Sequence, residues 1–169
     1  MGAVIGHEIS HSFDNMGALF DEHGELHNWW TPQDLKKFES AGKVLAAQFS
    51  AYKPFDDLSV NGNLTLGENI ADVAGLATAY DAYQLSLQGK HPQNIGGFSP
   101  DQRFFLGFAQ AWRSEYREAA LRNQVLTDVH APGRFRAQTV RNLDAWYRAF
   151  DVTQGQQLSL PPEQRVRIW

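Results

Sequence analysis

Apolar positions recur with a helical period through most of this chain, and turn-forming residues mark the breaks. Val4, Ile5, Ile9 and Phe13 predict an apolar face on a first helix running from Gly2 to about Asp14. From Phe20 to Trp30 the period is lost, and Asp21, Gly24 and Asn28 predict a loop with room for a short hairpin. Thr31-Pro32 reads as an N-cap followed by proline at the first helical position. Leu35, Phe38, Val44, Leu45 and Phe49 continue that helix, and Pro54 ends the region. Beyond the turn at Asn61-Gly62, the stretch Leu66 to Leu87 is rich in alanine and apolar on more than one face, which predicts a long helix buried at the centre.

Gly89 to Gly97 forms the next loop. Ser99-Pro100 then restarts a helix carrying Phe104, Phe105, Phe108, Trp112 and Tyr116 as far as about Asn123. A loop from Thr127 to Phe135 precedes a last helix, about Thr139 to Phe150, and a polar tail containing Pro161-Pro162. The expected fold class is mainly α, helical with few short strands, and the 169 residues fit one domain.

Composition narrows the functions available. A hydrophobic content of 43%, with 12% aromatic residues, can fill a sizeable core. The net charge of -4 and the lack of any lysine or arginine run argue against nucleic acid as a partner. No apolar stretch reaches the roughly 18 residues of a membrane span. The chain has no cysteine, so disulfides and thiolate metal sites are excluded, and any metal must be held by histidine and carboxylate.

The densest chemical signal is His7-Glu8-Ile9-Ser10-His11, an H-E-x-x-H motif. On a helix its two histidines lie one turn apart on one face and can reach one zinc, while Glu8 points beside the metal towards its water. A catalytic zinc takes three protein ligands, so a third is needed. Glu68, in Gly67-Glu68-Asn69-Ile70-Ala71-Asp72, is the best candidate. Asp72 shares its face at i, i+4 and can accept the second ring N–H of a ligand histidine, His7 in the first instance. Asp14, three residues beyond His11, could orient that ring instead. Taken singly, the acidic pair has a plainer reading, because carboxylates favour a helix N-terminus. Taken together, each motif supplies what the other lacks.

These stretches, with Val4 to Asp14, Val60 to Asp72, Asp128 to Arg136 and the terminal Arg167-Ile168-Trp169, resemble the neprilysin family of zinc endopeptidases, most closely its bacterial PepO-like branch. The likeness runs in order over essentially the whole chain and corresponds to the C-terminal, zinc-binding region of those enzymes, with a thermolysin-like zincin fold. It implies one Zn2+ per chain held by His7, His11 and Glu68, peptide substrates, catalysis by Glu8, and an extracytoplasmic (periplasmic or secreted) location. It also implies that His130 hydrogen-bonds the oxyanion of the tetrahedral intermediate and that Arg136 grips a substrate carbonyl or carboxylate. Val166 stands where vertebrate members carry a cysteine. The family's substrate-binding strand and helical cap domain have no counterpart in these residues, so a missing N-terminal part is an expected partner. An alternative expectation is an isolated zinc-binding helical fragment with little or no activity of its own. His23, His27 and His91 match no functional position.

Overall fold

A long helix with three occupied faces organises the molecule. The computed structural model describes residues 1–168; Trp169, the last residue of the Arg167-Ile168-Trp169 signature, lies outside the described residues. The α-helices are α1 (Gly2–Ser10), α2 (Pro32–Ser50), α3 (Leu66–Leu87), α4 (Pro100–Ala111), α5 (Glu118–Thr127), α6 (Gly133–Arg136) and α7 (Asp144–Phe150). Among the described residues no sheet forms, and antiparallel pairing is confined to isolated bridges at Phe20–Leu26, Phe55–Leu58 and Ile95–Phe98. The first of these lies where the short hairpin was expected.

Local chemistry explains the well-read helix starts. Thr31 Oγ1 accepts from the Asp34 amide ahead of Pro32, and Ser99 with Gln102 forms a reciprocal capping box ahead of Pro100. The central helix α3 buries a continuous run from Asn69 to Gly75 and on to Leu76. One of its faces joins a core of Leu45, Phe49, Val60, Ile70, Val73 and Phe135, which Val166 completes at 4% exposure. Another joins Leu76 to Phe105, Val140, Leu143 and Ala145 from the α4–α7 side.

The third face of α3 meets α1, and there the expected pattern is reversed. Val4, Ile5 and Ile9, anticipated as the packing face, are 53%, 58% and 61% exposed, whereas Gly6, His7 and Ser10 are buried. The reason is steric. A Cβ on Gly6 would lie 2.9 Å from Gly75 Cα, and a Cβ on Gly75 would lie 2.4 Å from His7 N. The two backbones therefore touch, which only residues without a Cβ permit, and the bulkier apolar side chains are left pointing outward. The helix also ends earlier than its sequence period suggests, at Ser10, with a 3-10 turn over His11–Phe13.

Three further boundaries differ from the sequence reading. The helix expected from Ser99 to Asn123 breaks between Ala111 and Glu118, and at the break Gly133 packs against the Trp112 carbonyl, where a Cβ would come within 2.7 Å. The loop expected up to Phe135 closes earlier, at Gly133, where α6 begins. The last helix is divided into a 3-10 segment, Ala137–Asn142, an extended Leu143, and α7. Buried Asn142 accounts for that interruption: its Oδ1 accepts from the Val166 amide at 2.8 Å and from Gln48 Nε2 at 3.0 Å, tying α2 and the C-terminal segment to one point.

Replacing Gly75 with alanine should drive the two helices apart. We expect Gly75→Ala to lower unfolding free energy by about 1–3 kcal/mol or more in urea titrations. Gly107→Ala, on α4 with nothing within 4 Å of the added Cβ, should be neutral or stabilising by about 0.5–1 kcal/mol. Equal effects of the two would refute the close-contact argument.

Candidate metal centre and active site

The α1–α3 contact sets out the site. His7 and His11 project from α1 and its 3-10 extension, Glu68 and Asp72 from the first turns of α3, His130 from the loop before α6, and Arg136 from the end of α6. The ring nitrogens His7 Nε2 and His11 Nε2 lie 3.1 Å apart. His7 Nε2 is 3.1 Å from Glu68 Oε2, and His11 Nε2 is 3.6 Å from Glu68 Oε1.

The opposite edges of both rings are fixed by carboxylates. His7 Nδ1 lies 2.9 Å from Asp72 Oδ1, and His11 Nδ1 lies 2.8 Å from Asp14 Oδ2. An ionised carboxylate can only accept, so each Nδ1 carries the proton and donates. Each Nε2 then faces the other and Glu68, and in the neutral ring it offers a lone pair to a metal. Asp14 is itself held by the amides of Met16 and Gly17, both donating to Oδ1. Gly67 gives it room, since a Cβ there would lie 3.2 Å from Asp14 Oδ2.

Three electron-pair donors thus face one another. Glu68 Oε2 is buried, and the ring nitrogens His7 Nε2 and His130 Nε2 each lie 3.1 Å from it. Such a cluster attracts positive charge: burial works against a charged His7, but Asp72 and Glu68 outweigh it and push its pKa up to about 9. Burial likewise opposes the charge on Glu68, yet His7, His130 and His11 hold its carboxyl below the usual range. A tetrahedral zinc with ligand bonds of 2.0–2.1 Å places its donors roughly 3.3 Å apart. His7 Nε2 lies 3.1 Å from both His11 Nε2 and Glu68 Oε2, close to that spacing, and the other carboxylate oxygen, Oε1, lies 3.6 Å from His11 Nε2. His7, His11 and Glu68 are also the one histidine–carboxylate group among the described residues whose donor atoms converge closely enough to hold a metal.

Asp72 has a second partner. Arg136 Nε donates to its Oδ2 at 2.7 Å and Nη2 to its Oδ1 at 2.8 Å, a bidentate pair between two buried side chains. The guanidinium also lies over the Trp112 ring, 4.1 Å from its centre. Glu8 is exposed and lines the same cleft, together with His130, Phe108 and Trp112. His130 Nε2 is 3.1 Å from Glu68 Oε2.

All eight residues singled out in the sequence therefore surround one cleft or support it. His23, His27 and His91 do not join the cluster; His27 instead pairs with Asp21 at 3.3 Å. Sequence reasoning missed Asp128 and Trp112. Asp128 Oδ1 accepts from both the amide and the ring Nδ1 of His130, each at 2.8 Å. The His130 amide and ring hold the Asp128 carboxyl below its usual range although burial opposes this. An Asp two residues before a His is a recognisable side-chain turn. Nothing local marks Trp112, whose partner is twenty-four positions away.

Known proteins resemble this chain over its whole length. The sequence model of Peptidase family M13 matches residues 1–166. The chain is 39% identical over 170 residues to "Neutral endopeptidase" of Lactobacillus helveticus, covering all of this chain and 24% of that protein. It is 38% identical over 177 residues to human "Neprilysin", covering all of this chain and 23% of that protein. Among solved structures, the zinc metalloprotease ZMP1 of Mycobacterium tuberculosis, in complex with inhibitor, superposes with a TM-score of 0.95 at 46% identity, over 99% of this chain and 26% of that one. PEPO from Lactobacillus rhamnosis gives 0.84 at 43% identity, over 100% of this chain and 25% of that one. The chain spans about a quarter of the length of such relatives.

Removing Asp72 should strand the buried Arg136 charge and release the His7 ring together. Asp72→Ala is expected to cost about 3–5 kcal/mol of stability, with part recovered when Arg136→Met is added. A loss under about 1 kcal/mol, the range of an exposed pair, would contradict a buried tie.

Proposed function

Because this chain belongs to peptidase family M13, we propose that it forms the zinc-binding catalytic region of a metalloendopeptidase that cleaves small peptides. The observation carrying this reading is the convergence of His7 Nε2, His11 Nε2 and the Glu68 carboxylate, with both histidines oriented from behind by Asp72 and Asp14. These three residues would hold one zinc per chain. Bound there, the ion would polarise the scissile carbonyl and acidify a water.

The remaining steps belong to the protein. Glu8, exposed beside the cluster, takes a proton from the attacking water as its oxygen bonds to the carbonyl carbon, and delivers that proton to the amine as the C–N bond breaks. His130 donates through Nε2 to the oxyanion, its ring turned by Asp128. Arg136 contacts a substrate carbonyl or carboxylate with the Nη1 edge that Asp72 does not engage. Trp112 keeps that guanidinium in its plane.

A second reading has its own support in the uncovered apolar side of α1, where Val4, Ile5 and Ile9 are exposed. A patch of this kind marks a surface built to be covered. On this reading the 169 residues retain zinc as a helical domain but turn over peptide only when a further part of an M13-length enzyme covers α1 and presents the substrate. An extracytoplasmic setting goes with the family resemblance. Among the described residues no helix is long and apolar enough to cross a membrane.

Metal analysis should find one zinc per chain in both wild type and Glu8→Gln, and none in Glu68→Ala. Peptide cleavage by the complete enzyme should fall by about 10²–10⁴-fold in Glu8→Gln. Normal turnover in that variant would remove Glu8 as the base. Chelator-sensitive cleavage by the 169-residue chain at ordinary enzyme rates would sink the second reading.

A further inference from the structure

The cleft that opens at Glu8, His130 and Arg136 extends past the apolar wall of Phe108 and Trp112. It continues between α3 and α4 to Tyr83 and Arg103, with a volume of about 750 Å³. That lies in the range of sites that take several groups of one ligand, and it exceeds what one side chain needs. The two ends differ in chemistry. Near the metal cluster the lining carries carboxylates, Glu8 and Asp72, whereas at the far end, which the backbone of Met1 and Gly2 also borders, the polar side chains are two donors, Tyr83 and Arg103.

Arg103 is set in place by one edge of its fork. Its Nη1 donates to Phe98 O at 2.8 Å and to Gln93 O at 3.3 Å, anchoring α4 to the preceding loop and leaving Nε and Nη2 outside those bonds. Tyr83 keeps its proton, since burial and the neighbouring Asp101 raise its pKa while Arg103 opposes them. The Asp101 carboxylate does not compete for Arg103 within the cleft. It accepts from Tyr80 Oη at 2.9 Å and from Gln84 Nε2 at 3.0 Å, and it lines a separate depression beside Pro100.

We propose that Arg103 is a specificity-determining residue, which takes an anionic group of the substrate beyond the apolar side chain that Phe108 and Trp112 cover. The anion is a carboxylate, supplied either by an acidic side chain or by a free peptide C-terminus. An oriented guanidinium is the side chain best matched to it, and a neutral group at that position forfeits a charge-assisted hydrogen bond. The inference rests on the peptide-hydrolase reading above and adds a substrate class to it.

Binding to the zinc-loaded chain tests this without depending on turnover. Three fluorescein-labelled probes would be compared by anisotropy: Gly-Gly-Phe-Leu with a free carboxylate, the same peptide as its carboxamide, and Gly-Gly-Phe-Glu as its carboxamide. Wild type should bind at least one of the anionic probes about tenfold more tightly than the neutral one, and the probe so favoured identifies the source of the carboxylate. The preference should vanish in Arg103→Met and persist in Arg103→Lys, with zinc content and thermal midpoint checking that both variants fold. A preference that survives Arg103→Met, or equal binding of all three probes by wild type, overturns the inference alone. Failure of wild type to bind any probe overturns the peptide-site reading and the inference with it.

Discussion

The contact of two helix backbones at Gly6 and Gly75 underlies the rest of this structure. A Cβ on either residue would fall within 2.9 Å of the opposing main chain, so α1 can lie against α3 only because both positions lack one. That approach brings the His7 ring within 2.9 Å of Asp72 and 3.1 Å of Glu68. A gap wider by even one methyl group would leave the three donor atoms too far apart to share an ion with bonds of about 2 Å. The cost falls on the other side of α1, where large apolar side chains stand in solvent.

Asp72 carries this arrangement from the helix pair to the remainder of the chain. Almost wholly buried, it accepts from His7 on one side and from Nε and Nη2, one edge of the Arg136 fork, on the other. One carboxylate thereby fixes a ring tautomer and draws α6 against α3. Arg136 in turn lies on Trp112 at the point where α4 ends. The cleft beside the cluster is walled by these same residues, so its shape and the orientation of the donor atoms are mechanically linked. His130 enters from the loop before α6, held by Asp128 at two of its own atoms.

Much of this was legible in the sequence, for reasons that differ from element to element. The starts of α2 and α4 were readable because Thr31-Pro32 and Ser99-Pro100 satisfy helix termini locally. The extent of α3 was readable because its apolar residues occupy more than one face. The face that α1 buries was not, since hydrophobic periodicity assumes that large apolar residues seek the core, and here backbone proximity excluded them. The breaks at Trp112 and Leu143 were hidden as well. At each the packing partners are distant in sequence, Gly133 against the Trp112 carbonyl in one case and in the other Gln48 and Val166 bonded to Asn142.

The sequence by itself determined that His7 and His11 share one side of one helix and that Glu68 and Asp72 share one side of another, because helical geometry fixes i, i+4 neighbours whatever surrounds them. Only the tertiary structure decided that the two pairs meet, which carboxylate supports which ring, that Asp128 holds His130, and that Trp112 and Arg103 line the same cleft. Those relations depend on how closely two helices can pass and on which residues from distant segments fill the space beside them. Packing sets such distances, and no local pattern encodes them.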